Sequence, residues 1–82
     1  MKPYNDINSI RIFNEDVHED ELMWHCDEED RIIESIDLTD WKIQLDNQLP
    51  ESLNNKIFIK KETFHRLIKG SGSLKLKINK IK

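Results

Sequence analysis

Few side chains in this sequence can do chemistry. There are three His and one Cys among 82 residues, and most of the acids lie in polar runs. His25 and Asp27 stand apart from that pattern. They are two positions apart, and on extended backbone residues i and i+2 project from the same face. An imidazole and a carboxylate there point the same way. His65 lies forty residues further on, at the start of another apolar run. Two imidazoles and a carboxylate from neighbouring strands are the ligand set of many mononuclear metal sites.

Other chemistries fail on residue type or spacing. The two glycines flank Ser71, so no glycine-rich loop can cradle a phosphate. A calcium loop starting at Asp16 would have Glu21 where its central Gly belongs. Zinc ribbons and knuckles need more than one Cys. His25 and Cys26 are adjacent, face opposite ways on a strand and cannot share a metal. A Cys26 nucleophile needs a base on its own face, and Leu22 and Trp24 cannot serve. Cys26 therefore reads as a small buried hydrophobe. Trp24 and Trp41 read as core or dimer contacts, His18 as a solvated loop residue, and Arg66 as a surface or interface partner in an ion pair. Glu28-Glu29-Asp30 reads as a solvated turn.

The elements that must carry these residues are strands. Twelve residues are Ile and none is Ala, and β-branched side chains favour the pleated sheet over the helix. Strands are expected at Ser9–Phe13, Leu22–Asp27, Arg31–Ile36, Trp41–Asp46, Lys56–Lys60, Phe64–Lys69 and Leu74–Ile78. The alternation is strictest in Trp41–Asp46, with Trp41, Ile43 and Leu45 inward, and in Leu74–Ile78. In Leu22–Asp27 it sets Leu22, Trp24 and Cys26 on one face, and Met23, His25 and Asp27 on the other. Asn14–Glu21 is an acidic loop, Asp37–Asp40 and Lys61–Thr63 are turns, Asn47–Asn55 is a connection, and Gly70-Ser71-Gly72 is the strongest hairpin signal. About seven short strands at ten-residue spacing predict an all-β fold, a small antiparallel barrel or sandwich. It forms one domain over residues 1–82, with an N-terminal strand and acidic loop in 1–20 and the barrel in 21–82.

Charge and apolar content narrow the setting. The chain is 37% apolar and 35% charged, which allows a small core. Residues 1–41 carry 13 acids and 3 bases, whereas residues 42–82 carry 3 acids and 10 bases. Pairing of the halves as neighbouring strands accounts for that split. The alternative, a Lys-rich nucleic-acid surface at Leu74–Lys82, lacks an aromatic to stack a base, and the net charge is −3. No apolar run is long enough to span a bilayer, and no leader precedes a cleavage site, so a cytoplasmic protein with no membrane partner is expected.

At Trp24–Ile36 the sequence resembles the first motif of the cupin superfamily, in which His-x-His and then Glu precede an apolar strand. Ile57–Gly70 is similar to the second motif, where a strand runs into Pro-x-Gly-x-x-His. The resemblance covers about residues 20–80 and implies a small barrel with its site inside. Carried over by position, His25 and His65 keep the first and last metal ligands, Asp27 replaces the second His, and Arg31 replaces the Glu. Lys60 and Glu62 stand where the turn Pro and Gly would be. A guanidinium has no lone pair to offer a metal. Two arrangements follow. In one, His25, Asp27 and His65 hold a divalent metal (Fe, Mn, Ni or Zn) and Arg31 holds a substrate carboxylate. In the other, Arg31 pairs with Asp27 and no metal binds.

The expected function is a cupin-like barrel that binds a small polar or anionic ligand at His25, Asp27, Arg31 and His65 without catalysis. The alternatives are a metal-dependent isomerase, dioxygenase or epimerase using those residues, and an interaction module that docks a basic protein through Glu15–Glu21. Open edges and Leu22, Trp24 and Cys26 suggest a homodimer.

Overall fold

The computed structural model describes residues 4–7 and 9–81. Among them are eight strands and no α-helix: β1 Asn5–Ile7, β2 Ile10–Phe13, β3 Asp30–Ser35, β4 Lys42–Leu45, β5 Glu51–Ser52, β6 Ile57–Ile59, β7 His65–Ile68 and β8 Leu74–Ile81. They form two antiparallel sheets, one ordered β1-β2-β8-β3-β6 and one β5-β4-β7. No helix among the described residues is long and apolar enough to cross a membrane.

Period-two alternation builds the core. Leu74, Leu76 and Ile78 of β8 are buried while Lys75, Lys77 and Asn79 between them are exposed. Ile43 and Leu45 of β4 meet them from the other sheet, with Phe13, Ile33, Ile59 and Trp41 in the same cluster. Each such side chain contributes roughly 1.5–3 kcal/mol when fully buried. The register sets Glu34 opposite Lys77, so the acidic and basic halves do meet across a ladder.

The connections differ from the sequence expectation. Gly70-Ser71-Gly72 is not a hairpin: β7 pairs with β4, and β8 pairs with β2 and β3. The segment crosses from one sheet to the other, as do 37–40 and 61–63. Side-chain bonds tie two of these crossings together. Asp40 accepts the Ser71 amide at 2.8 Å and the Ser71 hydroxyl at 2.9 Å, and those bonds, the amide's first, hold its carboxyl below the ordinary value. The fully buried Trp41 donates its indole N–H to the Gly72 carbonyl at 3.2 Å.

Polar segments also hide apolar anchors. Asn47–Asn55 contains β5 and the fully buried Leu53, whose carbonyl accepts the Ser35 amide at 2.8 Å. The Asn54 side chain clasps the Thr39 backbone with bonds of 3.0 and 2.9 Å. Within Asn14–Glu21, Val17 is buried and Glu19–Glu21 makes a short 3-10 turn. The expected strand Leu22–Asp27 forms a ladder bridge at His25 alone; its flanking residues Met23 and Trp24 have no sheet layer over them and are exposed.

Gly70 tests the crossing directly. A Cβ there would lie 2.6 Å from the Trp41 amide nitrogen, whereas Gly72, at φ 71°, has open space around it. Gly72→Ala should cost about 1–2 kcal/mol from left-handed backbone alone. Gly70→Ala should cost more, because backbone must move. Urea unfolding midpoints should fall in that order; the reverse order would contradict the account.

Candidate functional site

The site begins with one reciprocal pair of backbone bonds. The His25 amide donates to the His65 carbonyl at 3.0 Å, and the His65 amide donates to the His25 carbonyl at 2.9 Å. Directly opposed residues of antiparallel strands present their side chains on one face. The two imidazoles accordingly lie edge to face, 4.4 Å between ring centres. Asp27, two residues on, is on that face, and its carbonyl accepts the Glu62 amide at 2.7 Å. Asp30 caps the same crossing by accepting the Lys61 amide at 2.7 Å. Glu62 takes φ 64°, a left-handed conformation that a side chain adopts at some cost.

Each ring is oriented by its own chain. His65 Nδ1 lies 2.8 Å from the Thr63 carbonyl, and His25 Nδ1 lies 3.0 Å from the Met23 carbonyl. A carbonyl can only accept, so Nδ1 carries the proton on each ring. The Nε2 atoms are left to meet whatever occupies the site. One ligand atom each from His25, Asp27 and His65 lies within 4.8 Å of the others.

The electrostatics centre on His65 and Asp27. His65 is only 5% exposed. Burial pushes its imidazole below the ordinary 6.5; the Thr63 carbonyl and Asp27 pull it up, while His25 and Arg31 add to the depression. At neutral pH it is therefore the uncharged Nδ1–H form, with a lone pair on Nε2. That atom lies 3.3 Å from Asp27 Oδ2. Asp27 Oδ2 is itself buried without a hydrogen-bond partner. Two lone pairs face each other in a low-dielectric space, and unpaired buried oxygens are costly.

Arg31 faces its own acids. Its Nη1 is 3.3 Å from Asp27 Oδ2, its Nη2 2.6 Å from Glu29 Oε1, and its Nε donates to the same Glu29 oxygen at 2.8 Å. Of the two roles open to Arg31, the structure has it paired with Asp27. Glu29 is thus an ion-pair partner rather than part of a purely solvated turn.

All four expected residues line one cavity of about 420 Å³ between the sheets. Its walls are aliphatic, from Ile33, Ile43, Ile59, Leu67, Leu76 and Ile78, and it also takes in Arg11 and Tyr4. Arg11 was hidden in the apolar piece Ser9–Phe13, although the alternation that buries Phe13 places Arg11 on the same face.

Three neighbours differ from expectation. Cys26 is exposed, not buried: it alternates away from the cavity, and no second layer covers that side. Trp24 is 42% exposed for the same reason and is not core. Arg66 makes no ion pair among the described residues. It stacks over Trp24 at 5.0 Å and donates two hydrogen bonds to Gln44 Oε1, at 3.0 and 2.9 Å.

The depressed His65 sets a pH dependence. Between its folded value and 6.5 the unfolded chain binds more protons, so stability rises with pH through that window and is lost as the pH is lowered through it. NMR titration of the His65 ring in chelator-treated protein should give a midpoint below 6.5; a midpoint at or above that value would contradict the burial argument.

No protein family, no curated protein and no solved structure matches the chain, so the cupin resemblance stands on the residues that carry it.

Proposed function

We propose that the protein is a small cupin-like barrel that holds a divalent transition metal through His25, Asp27 and His65 and takes a small anionic molecule into the adjoining cavity. The observation that carries this reading is the close pair of acceptors, His65 Nε2 3.3 Å from the buried Asp27 Oδ2, an oxygen that has an ion pair with Arg31 at 3.3 Å but no hydrogen bond. A cation between them removes the repulsion and satisfies both atoms. Two donors bound to one metal at about 2.0–2.2 Å are themselves roughly 3–3.5 Å apart, and the observed spacing falls in that range. Imidazole with carboxylate suits Zn, Fe, Ni or Mn.

Further support comes from the supporting groups. Both rings donate Nδ1–H to backbone carbonyls, the outer-shell arrangement that fixes a ligating imidazole. Glu62, which stands where the resemblance has its turn Gly, takes the positive φ that a Gly would supply.

Charge balance favours an anionic ligand. Asp27 and Glu29 face Arg31, and Arg11 lines the same cavity, two negative charges against two positive. A divalent cation adds two units of positive charge to that balance. An anion offsets the excess, and three protein ligands leave coordination positions open for it. The role of such a metal here is Lewis-acid binding of that anion.

A metal-free reading is favoured by the Arg31–Asp27 pair alone, since a guanidinium beside the carboxylate already offsets its charge. Cobalt(II) distinguishes the two. Titration should give d–d absorption saturating at one equivalent, competed by zinc. His25→Ala and His65→Ala should abolish it while retaining the β-sheet circular dichroism signal, and Asp27→Asn should weaken it. Stoichiometry near zero after reloading with iron, manganese, nickel and zinc would overturn the metal reading.

A further inference from the structure

We propose that Arg31 is a built-in competitor for the metal, so that a divalent cation loads weakly alone and firmly only with a small anion beside it. The inference rests on the metal reading above and adds to it a condition for loading. It starts from one oxygen with two claims on it. Asp27 Oδ2 lies 3.3 Å from His65 Nε2 and 3.3 Å from Arg31 Nη1. The same carboxylate oxygen thus faces a candidate metal ligand and a fixed cation.

Arg31 cannot yield by losing its charge, because a guanidinium stays protonated in proteins. Water screens it little, since the Arg31 and Asp27 side chains are 12% and 14% exposed. A dication on Asp27 Oδ2 stands one oxygen atom away from that charge. Like charges so close repel strongly where solvent is scarce, which subtracts from the affinity that two imidazoles and a carboxylate supply.

The surroundings keep the competitor in place. Glu29 Oε1 holds Arg31 Nη2 at 2.6 Å and accepts from Nε at 2.8 Å, so the guanidinium stays beside the site when Asp27 turns to a metal. Its backbone is fixed as well: Arg31 lies in β3, opposite Ile59 of β6 on one side and Lys80 of β8 on the other.

The same geometry couples anion to metal. Arg31, Asp27, His25 and His65 line one cavity, so an anion at an open coordination position there also faces the guanidinium. It lowers the repulsion between the two positive centres, and each ligand then raises the affinity for the other by the same factor. Before loading, Arg31 offsets the Asp27 charge.

Cobalt(II) titrations of the full chain in perchlorate buffer, with and without sodium azide as the probe anion, test this. Azide should tighten cobalt binding to the unsubstituted chain by at least about tenfold, and Arg31→Met should tighten it by about as much without azide, after which azide adds little. Arg31→Lys keeps a charge there and should stay weak alone and respond to azide, with circular dichroism reporting that each variant is folded. Glu29→Gln leaves the guanidinium less compensated and should weaken cobalt binding, a check that stands even if Arg31→Met does not fold. Binding no tighter in Arg31→Met, azide enhancement that survives in it, or tighter binding in Glu29→Gln would each overturn the competition. Firm, azide-independent binding to the unsubstituted chain sinks only the role of Arg31. No cobalt spectrum from either the unsubstituted chain or Arg31→Met, with azide or without, sinks the metal reading itself.

Discussion

The site depends on one antiparallel bridge, the reciprocal backbone bonds between His25 and His65. Residues 22–27 make no other ladder pair among the described residues. The bridge survives in isolation because the Glu62 amide on the Asp27 carbonyl and the Lys61 amide on the Asp30 carboxylate clamp the same segment a few residues on. Three attachments along six residues hold a stretch that sheet pairing alone would leave loose. They place two rings and a carboxylate on one face, and each ring is then locked by a carbonyl two residues upstream.

The second constraint is topological. Four short connections, around 37–40, 53–56, 61–63 and 70–72, each carry the chain from one sheet to the other. Inner faces that would have packed within one continuous sheet therefore oppose each other and enclose space. A chain of 82 residues has little apolar material with which to fill it, and unfilled apolar volume costs stability. The cavity is lined by charged and polar groups, Arg11, Asp27, Arg31 and His65, beside its aliphatic walls. Opposed charges within it are nearly balanced, so a small change in cation content alters the field a ligand meets.

Much of this was legible in the residues. Strict alternation in Trp41–Leu45 and Leu74–Ile78 specifies which side chains share a face, and the buried positions there are those the alternation selects. The i, i+2 spacing of His25 and Asp27 foretold their common direction, and His65, at the start of another apolar run, was grouped with them on residue type before the resemblance added to it. Alternation does not say which face receives a second layer: Cys26, expected to be buried, is exposed, and Trp24, expected as a core or dimer contact, is not core. A Gly-Ser-Gly turn specifies reversal of the chain but not the partner of the strand that follows. Only the Asp40 and Trp41 contacts to Ser71 and Gly72 decide that 70–72 crosses between sheets. Val17 and Leu53 are single apolar residues in polar stretches and carry no period to betray their burial. Arg11 was masked by the isoleucines on either side of it.

The central claim is that His25 and His65, each with its proton on Nδ1, leave Nε2 to share with Asp27 the cation proposed above. Long-range ¹H–¹⁵N correlation of the imidazole rings measures this directly, atom by atom. In metal-free protein above the titration range both rings should show the Nδ1–H form. On addition of zinc the two Nε2 resonances should shift together while the Nδ1 resonances hold their protonated pattern. An Nε2–H form at His65, or zinc-induced shifts at one ring alone, would contradict it.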